Sequence, residues 1–285
     1  MKPKVINVDD WNKMQKKYKH LNLKTWEYLD SIQKLAIMKT SGVPINPKLI
    51  FGHNYQIKYP NDIFNYDHTK KYTLSNSIIQ QIKDLVKQKH EIGGILIYNS
   101  TKQNSDNINM HVLFNGNSDR INLNILDVLN RLDKPYTESK MSLFHTHPDT
   151  DNVMYDPPSI LDVVNFLILS VKMIVDNNLA GKTNSRSLSL HNRLKIRIGS
   201  SLVFTKNEVY VYYISQPLVD NIIQYINKDI KNIFEEIELY YSAVLYPFNR
   251  ELKNKEVDQY IHFLSHLGIV MKRYTYNQNI EIYVY

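Results

Sequence analysis

MSLFHTHP, residues 141–148, is the stretch on which the reading of this chain turns. Met141–Phe144 reads as a strand that runs on into two histidines. Strand alternation sets His145 and His147 on one face and Thr146 on the other, and Pro148 ends the pairing. Two imidazoles on one face at a strand end form a natural half of a zinc site. Downstream lies PPSILD, residues 157–162. Pro and Ser together signal a helix start, which sets Asp162 in the first turns, within swing of a metal. Two histidines and one aspartate make three protein ligands. They leave a fourth tetrahedral position for water, the arrangement of a catalytic rather than a structural zinc. Asp149, Asp151 and Asp156 compete for the third place.

Working outward, EIGGILIY (residues 91–98) reads as an apolar strand with a carboxylate at its mouth. A hydrolytic zinc site needs a group to take a proton from water, and Glu91 is the candidate. Gly93 and Gly94 suit close backbone approach. Each element also has a plainer reading: a histidine pair in a core, a solvated strand end, a helix cap. The other eight histidines read as structural or surface residues.

Periodicity predicts helices over Leu74–Lys89, capped at Ser75 or Asn76, over Leu123–Leu132 and over the apolar Pro157–Asp176. Strands are expected over Ile108–Phe114, Leu194–Ile198, Ser201–Thr205 and Glu208–Ile214, with a hairpin at Lys206-Asn207. Thr25 is a candidate cap for one helix carrying Trp26, Leu29, Ile32, Leu35 and Ala36. One long amphipathic stripe runs over Leu218–Leu239, and a further helix covers Lys255–Leu267. Ile269–Tyr276 and Ile280–Tyr285 read as a closing hairpin. Interleaved helices and strands place the central block in the α/β or α+β class. The expected organisation is an N-terminal extension over 1–71, a catalytic block over 72–215, and a helical C-terminal region over 216–285 ending in a β-hairpin.

Composition excludes more than it assigns. The 285 residues include no cysteine, so a disulfide scaffold, a Cys-based zinc finger, an iron–sulfur site and a thiol nucleophile are all ruled out. A net charge of +7 is mild, and no dense Lys/Arg stripe argues for nucleic acid. The start MKPKVINVDDWNK has no apolar core segment, so no signal peptide is expected. No stretch is long and apolar enough to suggest a membrane span. Three alanines and eight glycines beside abundant Asn, Ile, Lys and Tyr point to an AT-rich genome, viral or protist.

The elements in this order resemble the signature of the JAMM (MPN+) zinc metalloproteases: a Glu on an early strand, then H-[ST]-H-P, then S-x-x-D. They stand here as Glu91, HTHP at 145–148, and Ser159 with Asp162. The resemblance covers about residues 72–215. The stretch between His147 and Asp162 is longer than the family's pattern, an excess that a surface loop absorbs at small entropic cost. The resemblance implies a cytidine-deaminase-like central mixed sheet flanked by helices. It implies one Zn²⁺ on His145, His147 and Asp162, with Glu91 as general base and Ser159 as oxyanion donor. It further implies hydrolysis of ubiquitin or ubiquitin-like conjugates. With no cysteine and no signal peptide expected, the expected compartment is the cytoplasm, or a host's cytoplasm or nucleus if the source is viral. Loops Asn115–Asp119 and Pro135–Lys140 are candidate cleft walls. A non-catalytic MPN-type scaffold and a RadC-like DNA-associated protein are the competing readings.

Overall fold

The computed structural model describes residues 2–3, 6–29, 31–43, 46, 49, 71–98, 108–115, 140–148, 156–180, 197–226 and 233–283. The expected helix over Leu123–Leu132 lies outside them. Contacts divide the chain into two units. One comprises Met1–Tyr59, Ser159–Ile168 and Lys228–Arg250; the other comprises Pro60–Pro158, Leu169–Asn227 and Glu251–Tyr285.

The first unit is helical. Helix α1 (Val8–Lys17) starts where the Asn7 side chain accepts from Asp10 N–H, with Asp9 and Asp10 in its first turn and Lys16 and Lys17 in its last. Both charge placements suit the helix dipole. The single helix expected across Trp26–Ala36 is two helices, α2 (Leu23–Tyr28) and α3 (Ser31–Thr40). Asn22, not Thr25, is the cap; Thr25 completes a capping box from the third helical position. Leu29 adopts an extended conformation and ends α2. Trp11, Met14, Leu21, Trp26 and Met38 form the core of this unit. The two indoles are buried and meet edge to face at 5.9 Å, packing against each other.

The second unit is built on a six-stranded mixed sheet. Its strands are β2 (Ile92–Tyr98), β3 (Ile108–Asn115), β4 (Lys140–Thr146), β5 (Arg197–Phe204), β6 (Glu208–Ile214) and β7 (Ile269–Thr275), in the order β3-β2-β4-β5-β6-β7. Only β4–β5 is parallel. The connection between them carries the long helix α5 (Ile160–Ala180), because a parallel pair needs a crossover. Helix α4 (Asn76–Val86), capped by Ser75 as expected, buries Ile78, Ile79 and Ile82 with Leu96, Tyr98, Phe144, Leu202 and Phe204 on one sheet face. His145, flanked in sequence by Phe144 and Thr146, belongs to the opposite face.

Several expected elements change. The two strands expected at 194–205 are one strand, β5, because Gly199 is taken up in a register shift between Met141↔Ile198 and Ser142↔Ser200. Along the long stripe expected over Leu218–Leu239 the structure describes α6 (Gln216–Ile226) and α7 (Ile233–Leu245), which fall in different units; residues 227–232 lie outside the described set. Helix α8 (Asn254–His266) ends at Gly268, whose φ of +80° turns the chain directly into β7. The closing hairpin does not form. β7 pairs with β6, while β8 (Glu281–Tyr283) pairs with β1 (Lys71–Thr73) in a separate two-stranded sheet. The C-terminal region thus supplies a strand of the central sheet instead of standing apart from it. No helix among the described residues is long and apolar enough to cross a membrane.

Candidate metal centre

β4 has strands on both sides, and its C-terminal end leads directly into His147 and Pro148. Open sheets collect ligand sites at such strand ends. His145 closes the ladder opposite Gly93, and His147 follows the strand with its N–H donated to Phe204 O at 2.9 Å. Both histidines are buried, with exposures of 6% and 7%. Their Nε2 atoms stand 3.2 Å apart.

The expected S-x-x-D element is a reciprocal cap at the head of α5. Ser159 N–H donates to Asp162 Oδ2 at 2.8 Å, and Asp162 N–H donates to Ser159 Oγ at 3.2 Å. The helix begins at Ile160, after Ser159, rather than at the prolines. One ligand atom from each of His145, His147 and Asp162 lies within 4.8 Å of the others. The donor set fits zinc chemically, being two imidazole nitrogens and a carboxylate. It also fits in spacing, since nitrogens about 2.05 Å from a tetrahedral zinc stand about 3.3 Å apart.

Glu91 precedes β2. The register pairs Gly93 with His145; continued by two residues, it sets Glu91 level with His147 on the same face. The strand entry is tied down by Thr146, fully buried, whose hydroxyl accepts the Ile92 N–H at 3.0 Å. Thr146 thus has the supporting place that alternation assigns it. Gly94 sits at a register shift between β2 and β3, where no side chain fits.

The proposed cleft loops fare differently. Asn115 pairs with Ile92 at the site end of the sheet, whereas Lys140 opens β4 at the remote end, opposite Tyr98. Lys140 therefore lies away from the histidines. Residues 116–119 and 135–139 lie outside the described set.

Three features were missed in the sequence. Asp156, weighed there as a competing ligand, stands instead beside His147: its Oδ2 is 2.9 Å and its backbone O 3.2 Å from Nδ1. Asp149 and Asp151 lie outside the described residues. Second, the row that passes through His145 continues to Val203, Tyr210 and Arg273. There Tyr210 donates to Glu208 Oε2 at 2.5 Å, and Arg273 donates Nε–H to Glu208 Oε1 at 2.8 Å and Nη1–H to Asn254 Oδ1 at 2.7 Å. Burial, then the Glu208 hydrogen bond and charge, push the Tyr210 phenol well above the ordinary tyrosine range; Arg273 opposes this and the Asp156 charge adds to it. Third, His262 and His266 are not isolated: spaced by four residues on α8, they bring their Nε2 atoms to 3.2 Å. Helical spacing was the available signal for that pair.

Compared with known proteins, the chain matches no family model, no curated protein and no solved structure.

Proposed function

We propose that the chain is a zinc-dependent isopeptidase or peptidase of the JAMM (MPN+) type, acting on ubiquitin or ubiquitin-like conjugates. One observation carries the reading: the ligand atoms of His145, His147 and Asp162 converge within 4.8 Å. The motif resemblance supplies the substrate class. Bound by these residues, zinc supplies Lewis acidity, lowering the pKa of water toward neutrality and polarising a carbonyl.

The chain's own residues do the rest. Glu91, on the histidine face, accepts a proton from the attacking water at its carboxylate and returns it to the leaving amine. Ser159 uses one lone pair to accept the Asp162 N–H. Its own O–H donates to the oxygen on which negative charge develops, worth about 3 kcal/mol. Asp162 holds the helix start and the metal with one carboxylate, which has an oxygen for each. With no cysteine in the chain, no thioester intermediate is available.

The test is incubation with linkage-defined di-ubiquitins. The parent protein is expected to cleave at least one linkage. Glu91→Gln is expected to keep its zinc and lose cleavage by at least about 100-fold, the weight of a general base. A parent that holds zinc and cleaves no linkage defeats the ubiquitin assignment. A His147→Ala variant as active as the parent defeats the site.

A further inference from the structure

We infer that Asp156 is the positioning residue of this centre: it holds the His147 ring in the tautomer that presents Nε2 to the metal. The inference rests on the metal reading above and adds a residue that the S-x-x-D and H-x-H elements do not contain. His147 Nδ1 faces two atoms of Asp156, the carboxylate Oδ2 at 2.9 Å and the backbone O at 3.2 Å. Both are acceptors only. A histidine that ligates a metal is neutral and carries one ring proton. With two acceptors on Nδ1, that proton sits on Nδ1. The lone pair is then on Nε2, the atom that faces His145 Nε2 at 3.2 Å. Asp156 is thus an outer partner and not a third ligand, because it occupies the ring nitrogen that the convergent cluster does not use.

Two further observations make the placement specific. Asp156 is followed by Pro157 and Pro158. A residue before proline is confined to extended conformations, and each proline fixes its own φ. The backbone is thereby stiffened at Asp156, where it meets the ring. The exposures also differ: the His147 side chain is 9% exposed and that of Asp156 is 42% exposed. The ring sits in a buried setting, while its partner can be replaced without opening a core.

The experiment measures zinc affinity by competition with a chromophoric chelator, in a His262→Ala background so that the α8 pair does not contribute. Outer partners of ligating histidines typically change metal affinity by about 10- to 100-fold. Asp156→Ala is expected near the lower end, about 10-fold weaker, since the backbone O at 3.2 Å remains. Asp156→Asn keeps an oxygen acceptor for Nδ1–H and is expected to recover most of that loss. A second readout needs no metal: ¹⁵N NMR of the His147 ring should report the Nδ1–H tautomer in the metal-free parent and an Nε2–H admixture in Asp156→Ala. The proposal is overturned if Asp156→Ala binds zinc as tightly as the parent and keeps the Nδ1–H tautomer. It is equally overturned if Asp156→Asn falls as far as Asp156→Ala, which would make the carboxylate a ligand. A parent that binds no zinc refutes the metal reading instead, and the tautomer measurement then decides on Asp156 alone.

Discussion

Gly94→Ala is the sharpest structural test, because the methyl group has nowhere to go. A Cβ at this position would stand 2.1 Å from His111 O, 2.7 Å from Phe144 Cε1 and 2.8 Å from Phe144 Cζ. Ordinary carbon–oxygen contacts lie at about 3.3–3.6 Å, so the His111 carbonyl must retreat by about 1 Å or more. That carbonyl belongs to β3, which is held to β2 by its ladder. The Phe144 ring is fully buried in the cluster under α4 and must also move by about 1 Å. Overpacking a core costs about 1–3 kcal/mol when side chains can yield. A backbone that must yield as well puts the cost at about 3 kcal/mol or above. For a chain of this size that lowers Tm by about 6–12 °C, at about 2–4 °C per kcal/mol. Thermal unfolding followed by near-UV circular dichroism reads the change. Phe144→Leu in the same chain separates the two clashes: the double variant should recover part of the Gly94→Ala loss and leave the carbonyl contribution. A Gly94→Ala protein that loses less than about 1 kcal/mol would refute the reasoning, since β3 would then have to be free to slide.

Three further outcomes follow from the same geometry. Arg273→Met should destabilise the protein by about 3 kcal/mol, because buried Glu208 loses its guanidinium and, among the described residues, keeps the Tyr210 hydroxyl as its side-chain partner; adding Glu208→Gln should restore much of this in urea unfolding, and no restoration would mean that the Arg273 stem, not its charge, matters. Burial pushes the phenols of Tyr98, Tyr210 and Tyr241 up from the ordinary value of 10.0. A raised folded-state value means the stability they contribute is complete below about pH 10 and drains away as pH rises beyond it, so their absorbance change at alkaline pH should coincide with unfolding; a smooth early titration of every tyrosine would contradict the burial. Zinc at about 100 times its Kd should stabilise the parent by about 2.7 kcal/mol, reversibly by chelator. Asp162→Asn should lose most of that increment while the metal-free protein barely shifts, since an amide oxygen still accepts the Ser159 N–H; equal zinc stabilisation in both would remove Asp162 from the ligand set.

What was legible in the sequence was mostly local. Ser75 as a cap, the strand Glu208–Ile214 and the turn at Lys206-Asn207 each follow from a few neighbouring residues, and each is in the structure. Pairing was not legible, because alternation specifies a strand and not its partner. Thus β7 and β8 are both strands and a turn joins them, yet β7 completes the large sheet and β8 reaches back to Lys71–Thr73. The break expected within Leu194–Thr205 failed for a related reason. Ser200 looks like a polar interruption, but its hydroxyl pairs with Ser142 at 2.7 Å, and Ser142 accepts from the Tyr98 hydroxyl at 2.9 Å. A buried polar residue is tolerated in a strand when a neighbouring strand satisfies it, and that neighbour is known only once the register is known.

The site shows the same divide between residue types and their partners. His145 and His147 could be grouped because strand alternation is a short-range rule. Asp162 could be joined to Ser159 because a cap is also short-range, and here the plain reading and the chemical one coincide. One carboxylate oxygen holds the helix start at 2.8 Å from Ser159 N, and the same side chain belongs to the convergent cluster. A helix cap alone does not explain why two buried imidazoles meet that carboxylate within 4.8 Å, since burying them together has a desolvation cost. Asp156 could not be sorted from Asp149 and Asp151 in the same way, for its role depends on which ring nitrogen it reaches, and only the fold shows that. The distinction matters chemically: an aspartate on Nε2 would add charge to a metal, whereas an aspartate on Nδ1 selects the tautomer that binds one.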